Sequence, residues 1–129
     1  MKPTVFYPDA EDTTCDRLDL LLADEDCTVG IGKPTDWTTA SAPHVQVNLD
    51  GTPRIEHPVV AYSTIRVTVW AYGTTAAKTL AATAMGLLLA EPYVSPLTGL
   101  LPASDKASGA DLASFTCRVA TRSQPLAGS

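Results

Sequence analysis

Positive charge is scarce in this sequence. Lys and Arg number nine among 129 residues, against fourteen Asp and Glu, and never form a run. The basic footprint of a nucleic-acid binder is therefore missing. Cysteines are few and odd in number, at Cys15, Cys27 and Cys117, with no CxxC spacing. That suggests neither a disulfide framework nor a zinc site. No apolar run is long: the uncharged segment from about Thr79 to Ala90 falls well short of the ~20 residues of a membrane helix. The opening MKPTVFYPDAEDTT has no signal-peptide core, so a reducing, cytoplasmic compartment is expected.

What is present is a length suited to one domain, 1–129, able to bury roughly two-thirds of its unfolded surface. Charged residues make up 18%, below the ~25% of ordinary soluble domains. Either small uncharged Ala and Thr are in excess, or part of the surface is covered by other subunits. The acids crowd toward the front, at Asp9, Glu11, Asp12, Asp16, Asp19, Asp24, Glu25 and Asp26. They form either a solvated helix face or an electrostatic surface for a basic partner or an assembly interface.

Residues 1–8 read as an extended arm. A first helix follows, N-capped by Asp9, with Glu11 and Asp12 suited to the positive end of its dipole. Its apolar stripe is Ala10, Cys15, Leu18, Leu21 and Leu22. CTVGIG is a short strand, KPTDWTTASAP a loop, and HVQVNL a strand that turns at Asp50-Gly51. The return strand starts near Arg54 and continues, past an interruption at Pro58, into VVAYSTIRVTVWAY. There Ile65, Val67, Val69 and Ala71 share one face, and Arg66, Thr68, Trp70 and Tyr72 the other. Gly73 ends the strand, Thr74 or Thr75 is expected to cap a second helix, and Pro92 stops that helix near Glu91. The second helix carries a large stripe of Leu80, Ala84, Leu87 and Leu88, with Ala77 and Ala81 beside it. A small stripe of Thr79, Thr83, Gly86 and Ala90 predicts a second covered side, since a mid-helix Gly costs ~1 kcal/mol without a reason to be there. Residues 92–111 show neither period and read as a long loop. LASFTCRVATR is the last strand, with Ala113, Phe115, Cys117 and Val119 inward and Ser114, Thr116, Arg118 and Arg122 outward. Residues 123–129 read as a flexible tail. The order predicts an α+β domain: a mostly antiparallel or mixed sheet of about four to five strands, with two helices packed on one face.

Chemical motifs fail on inspection. YGTTAAKT invites a phosphate-loop reading, but the motif requires glycines at the positions of Tyr72 and Ala77. His44 and His57 stand beside prolines. A Cys117–His57 dyad is compatible with the sequence, since such partners meet only in space, yet Cys117 alternates with Phe115 and Val119 as a buried apolar residue does. No EF-hand spacing exists among the acids. No catalytic, cofactor-binding or metal-ligating residue is assigned. The exposed strand faces, with Arg66, Trp70 and Tyr72 on one strand and Arg118 and Arg122 on another, hold the residue types that anchor protein interfaces. A helix-covered sheet face with arginines at its rim accounts for the same residues.

PHVQVNLDGTP, then STIRVTVWAYGTTAAKTLAATAMGLLLA, then ASFTCRVATR resembles the tail terminator (tail completion) proteins of long-tailed, siphovirus-type bacteriophages. The likeness lies in a strand ending VTVWA that runs into an Ala/Leu-rich helix, in the late strand SFTCRV, and in the order of elements from about Asp9 to Arg122. The resemblance implies a structural virion protein without enzymatic activity or cofactor. It implies a hexameric ring on the head-proximal end of the tail tube, which stops tube polymerisation and joins tail to head. The implied partners are further copies of the chain, the tail tube protein and the head-tail connector or neck proteins. DNA would only pass through the lumen, and no membrane is involved. The implied location is the tail-neck junction of the virion, after assembly in the host bacterial cytoplasm. No invariant functional residue of that family maps onto this chain. Charge segregation supplies the candidate interface instead: Asp12, Asp16 and Asp19 of the first helix against Arg66, Arg118 and Arg122, with Leu97, Leu100 and Leu101 of the long loop toward tube or neck. Another neck component, such as a head-tail joining or head-closure protein, is the nearest alternative. A tail-tube subunit and a small enzyme or ligand-binding domain are the others.

Overall fold

A computed structural model describes residues 9–51 and 60–122, with the backbone of 5–6, 54–56 and 124–125. The described elements run β1 (Val5–Phe6), α1 (Ala10–Leu21), β2 (Thr28–Ile31), β3 (His44–Leu49), β4 (Arg54–Glu56), β5 (Val60–Ala71), α2 (Thr74–Leu89), β6 (Val94–Pro96), β7 (Leu101–Asp105), β8 (Ala110–Arg122) and β9 (Gln124–Pro125). Five strands lie in the order β2-β3-β5-β8-β6, with β4 beside β5 and β7 beside β8. All pairs are antiparallel except β2–β3, so the sheet is mixed and the fold is α+β.

The sheet is organised on β5 and β8, which pair without interruption from Val60↔Arg122 to Ala71↔Asp111. Their odd-numbered residues form the buried face: Ile65, Val67, Val69, Ala113, Phe115, Cys117 and Val119 are all essentially inaccessible. Both helices cover that face. From α2 come Ala77, Ala81, Ala84 and Leu88, at spacings that keep one stripe against the sheet. Three alanines in that stripe let the helix axis lie close to the strands. From α1 come Ala10, Thr14, Leu18 and then Leu22. Cys15 and Leu21, expected in the stripe, are only half-buried at its margins. The predicted cap holds: the Asp9 carboxylate accepts the N–H groups of Glu11 (2.8 Å) and Asp12 (3.3 Å). Arg17 clamps the two helices, 2.6 Å from the carboxylate of Glu91 just past α2.

Four expectations need correction. The cap of α2 is Gly73 rather than a threonine, and no side chain of its own turn caps the helix. Gly73 takes φ +103°, a backbone that L side chains avoid, and its N–H donates to the Asp111 carboxylate at 2.9 Å. The N–H at the N-cap of α2 is thus satisfied by a carboxylate 38 residues further along the chain. Secondly, α2 is covered on one side only by this chain. Gly86 has open space around it, and Thr79 and Ala90 are exposed.

Thirdly, 92–111 is not a structureless loop. It holds β6, a four-residue bend and β7, all on the outer edge of β8. Thr98 stitches the bend: its Oγ1 accepts the Thr116 N–H at 3.0 Å, while Leu97 and Thr98 both donate their N–H to the Thr116 carbonyl. This covers Thr116, expected to face outward, and buries it. The turn into β8 is braced by Asp105, which accepts the N–H and Oγ–H of Ser108 at 3.1 and 2.6 Å. Both strands evade a period-2 reading because they are edge strands bearing Pro96 and Pro102, and β7 has no buried side chain to alternate. Finally, part of the presumed flexible tail is paired: Gln124–Pro125 forms an antiparallel ladder with Val5–Phe6 of the arm. The remainder of the arm and tail, and Pro58, lie outside the described residues.

Candidate interaction surfaces

The two faces of the layer differ in charge. On the helical side, Asp12, Asp16 and Asp19 point away from the sheet and are exposed. They lie within one arc of α1, opposite Thr14, Leu18 and Leu22. Leu20 lies in the same arc and is 69% exposed. On the opposite side, the even-numbered residues of β5 and β8 form an open face that no helix covers. Register places Arg66 opposite Thr116 and Thr64 opposite Arg118, so the two arginines are diagonal neighbours, and Arg122 continues the line along β8. Arg66 reaches Asp50 of the β3 turn at 3.0 Å. Half-exposed pairs of this kind contribute at most about 1 kcal/mol and leave the cation available to another anion. The guanidinium of Arg118 stacks on the Tyr62 ring, 4.6 Å from its centroid, an attraction that fixes its direction.

An open pocket of about 500 Å³ lies at this end of the sheet, lined by Val60, Tyr62, Pro92, Tyr93, Ala120 and Arg122. Burial and the nearby Glu91 carboxylate raise the pKa of Tyr93 against a smaller opposing effect of Arg17, so its hydroxyl stays neutral. The pocket thus offers an apolar, aromatic floor with cations at its rim.

Trp70 is not an exposed anchor. It is 5% accessible, and its indole N–H donates to Gln46 Oε1 at 2.8 Å. Trp37 covers it, with ring centroids 6.2 Å apart, and the Lys33 ammonium lies 5.6 Å from the Trp70 centroid. The cause is the parallel β2–β3 pair. Parallel neighbours need a long crossover, and here residues 32–43 supply one without a helix. That crossover carries Trp37 onto the face that would otherwise expose Trp70. Tyr72, just past the strand, is 72% exposed. Leu97 and Leu101 are about half exposed, whereas Leu100 packs on the margin of the core and is no free contact residue. The structure therefore gathers Arg66, Arg118 and Arg122 on one face, Asp12, Asp16 and Asp19 on the other, and leaves Tyr72, Leu97 and Leu101 at the periphery.

Cys117 is inaccessible on the core face, and burial pushes its thiol up to about 11. Such a thiol is a poor nucleophile at neutral pH. The proposed partner His57 lies outside the described residues. His44 stacks against Gly30 and places Nδ1 2.7 Å from the Thr28 hydroxyl, with burial lowering its pKa. Among the described residues no three His, Cys, Asp or Glu side chains gather as metal ligands would. No described helix is long and apolar enough to cross a membrane.

Two features escaped sequence reasoning. Leu20 was legible: on a helical wheel it falls among Asp12, Asp16 and Asp19, outside the buried stripe. The pocket was not, because Tyr62, Tyr93 and Ala120 meet only through sheet register. Comparison with protein-family models and with curated proteins found no match to this chain.

Proposed function

We propose that this chain is a structural subunit of a phage tail, a tail-terminator-like protein whose copies close into a hexameric ring on the head-proximal end of the tail tube. The observation that carries this reading is charge segregation across a single α/β layer: acids on the helical face, arginines on the open sheet face. Two different, complementary patches on one molecule favour head-to-tail association, which closes into rings when the rotation between copies allows. The resemblance from Asp9 to Arg122 supplies the biological setting. The exposed stripe of α2 around Gly86 and the apolar edge at Leu97 and Leu101 are further surfaces for neighbours in such an assembly. In this role the chain performs no chemistry; it ends tube growth and presents a flat surface to the neck. Native mass spectrometry with negative-stain microscopy tests the ring. The expected result is a six-copy species with an open lumen at high protein concentration. A chain that stays monomeric throughout would refute spontaneous ring closure, and one that forms only two-fold dimers would refute head-to-tail association.

A further inference from the structure

We propose that the contact between successive copies is a knob in a hole: Leu20 of one copy seats in the Tyr62–Tyr93 pocket of the next, with Asp16 and Asp19 against Arg118 and Arg122. The proposal rests on the self-assembly reading above and names its contact. Three independent features meet in it. Leu20 is the most exposed aliphatic side chain among the large hydrophobics described, at 69%, in a helix whose other large aliphatic side chains are buried or half-buried. An isolated exposed leucine is ordinary; this one has Asp16 one turn before it and Asp24 one turn after it, with Arg17 on its other flank turned to Glu91. The pocket is concave, apolar at its base and about 500 Å³ in volume, enough to take a leucine side chain with its flanking backbone. Arg122 at its rim and Arg118 beside it are opposite in sign to the acids of the knob's arc, and Arg118 is held in direction by Tyr62.

The occupant is thus a second copy of this chain. Knob and pocket lie on opposite sides of the layer, so one copy cannot satisfy its own pocket and each copy can engage two neighbours. Seating the leucine removes apolar surface from water on both partners, while the surrounding ion pairs set orientation and encounter rate more than affinity. An apolar centre with a polar rim is the usual anatomy of an interface, and the aromatic pocket of Tyr62 and Tyr93 supplies the residue type that most often anchors one.

The test uses the full chain in sedimentation velocity across a wide concentration range. Leu20→Asp should weaken self-association at least about tenfold, since it replaces an apolar contact with an unpaired charge in the pocket. Two charge variants isolate the rim. Asp16→Arg with Asp19→Arg makes both patches basic; Arg118→Asp with Arg122→Asp makes both acidic. Each alone should lose association, and an equimolar mixture should regain it, which misfolded variants could not do. Unchanged association of Leu20→Asp would overturn this contact and leave the ring reading standing. A mixture that stays monomeric while wild type associates would overturn the charge pairing. A wild-type chain that does not associate at any concentration would overturn both the contact and spontaneous ring formation.

Discussion

Leu18 and Leu20 are chemically identical, two positions apart on one helix, and the account predicts opposite consequences for truncating them. Leu18 is fully inaccessible, within the core cluster that also holds Leu22, Val45, Val47 and Phe115. Leu18→Ala removes its buried methyl groups and leaves a cavity among residues fixed by the sheet, at a cost of about 3–4 kcal/mol. For a domain of this size the unfolding entropy is ~0.27 kcal/mol/K, so the midpoint should fall by about 11–15 °C. Leu20 is 69% exposed and holds nothing in place. Leu20→Ala should shift the midpoint by no more than about 2 °C, because surface substitutions stay within about 0.5 kcal/mol and alanine is the better helix former. Thermal unfolding followed by far-UV circular dichroism, at concentrations where the chain is monomeric, checks both. A midpoint for Leu18→Ala within 4 °C of wild type would refute the packing of α1 on the sheet. A loss above 6 °C for Leu20→Ala would show that this leucine belongs to the core and would remove the knob.

Other outcomes follow from the same structure. Gly73→Ala should cost about 1–3 kcal/mol in denaturant unfolding although nothing crowds the new methyl, because the strain lies in φ +103°; a neutral substitution would mean that the turn relaxes freely. Thr14→Val should stabilise the protein by up to about 1 kcal/mol, since the Thr14 hydroxyl is buried without a partner among the described residues; destabilisation would reveal a hydrogen bond. The Cys117 thiol ionises near 9.0 when unfolded and near 11 when folded, so the unfolded state loses its proton first as pH rises. Its contribution to stability is complete below pH 9 and lost between pH 9 and 11. Cys117→Ala should flatten the stability profile in that window, and an unchanged slope would refute the assignment.

The elements most legible in the sequence were those whose local chemistry and burial agree. Asp9 before an acidic first turn marked the start of α1, and strict alternation from Ile65 to Ala71 marked the central strand and its core face. What stayed hidden depends on distant partners. The Gly73 N–H is satisfied by Asp111, 38 residues away, so the nearby threonines looked like caps and were not. Strands β6 and β7 have prolines and little burial because they sit at an edge, a place that periodicity cannot see. The parallel β2–β3 pair, and with it the covering of Trp70 by Trp37, follows from topology that no local pattern announces. The arginine face and acidic helix were visible as charges, but the pocket between Tyr62 and Tyr93 existed only once β5, β8 and the end of α2 were set side by side.

The most direct test of the proposal that this chain is a tail-terminator-like subunit is the length of phage tail tubes assembled with and without it, measured by electron microscopy. Deleting the chain should give tubes of uncontrolled, excessive length without heads. Restoring it should return uniform tubes bearing a ring at the head-proximal end. Tubes of normal, uniform length in its absence would contradict the account.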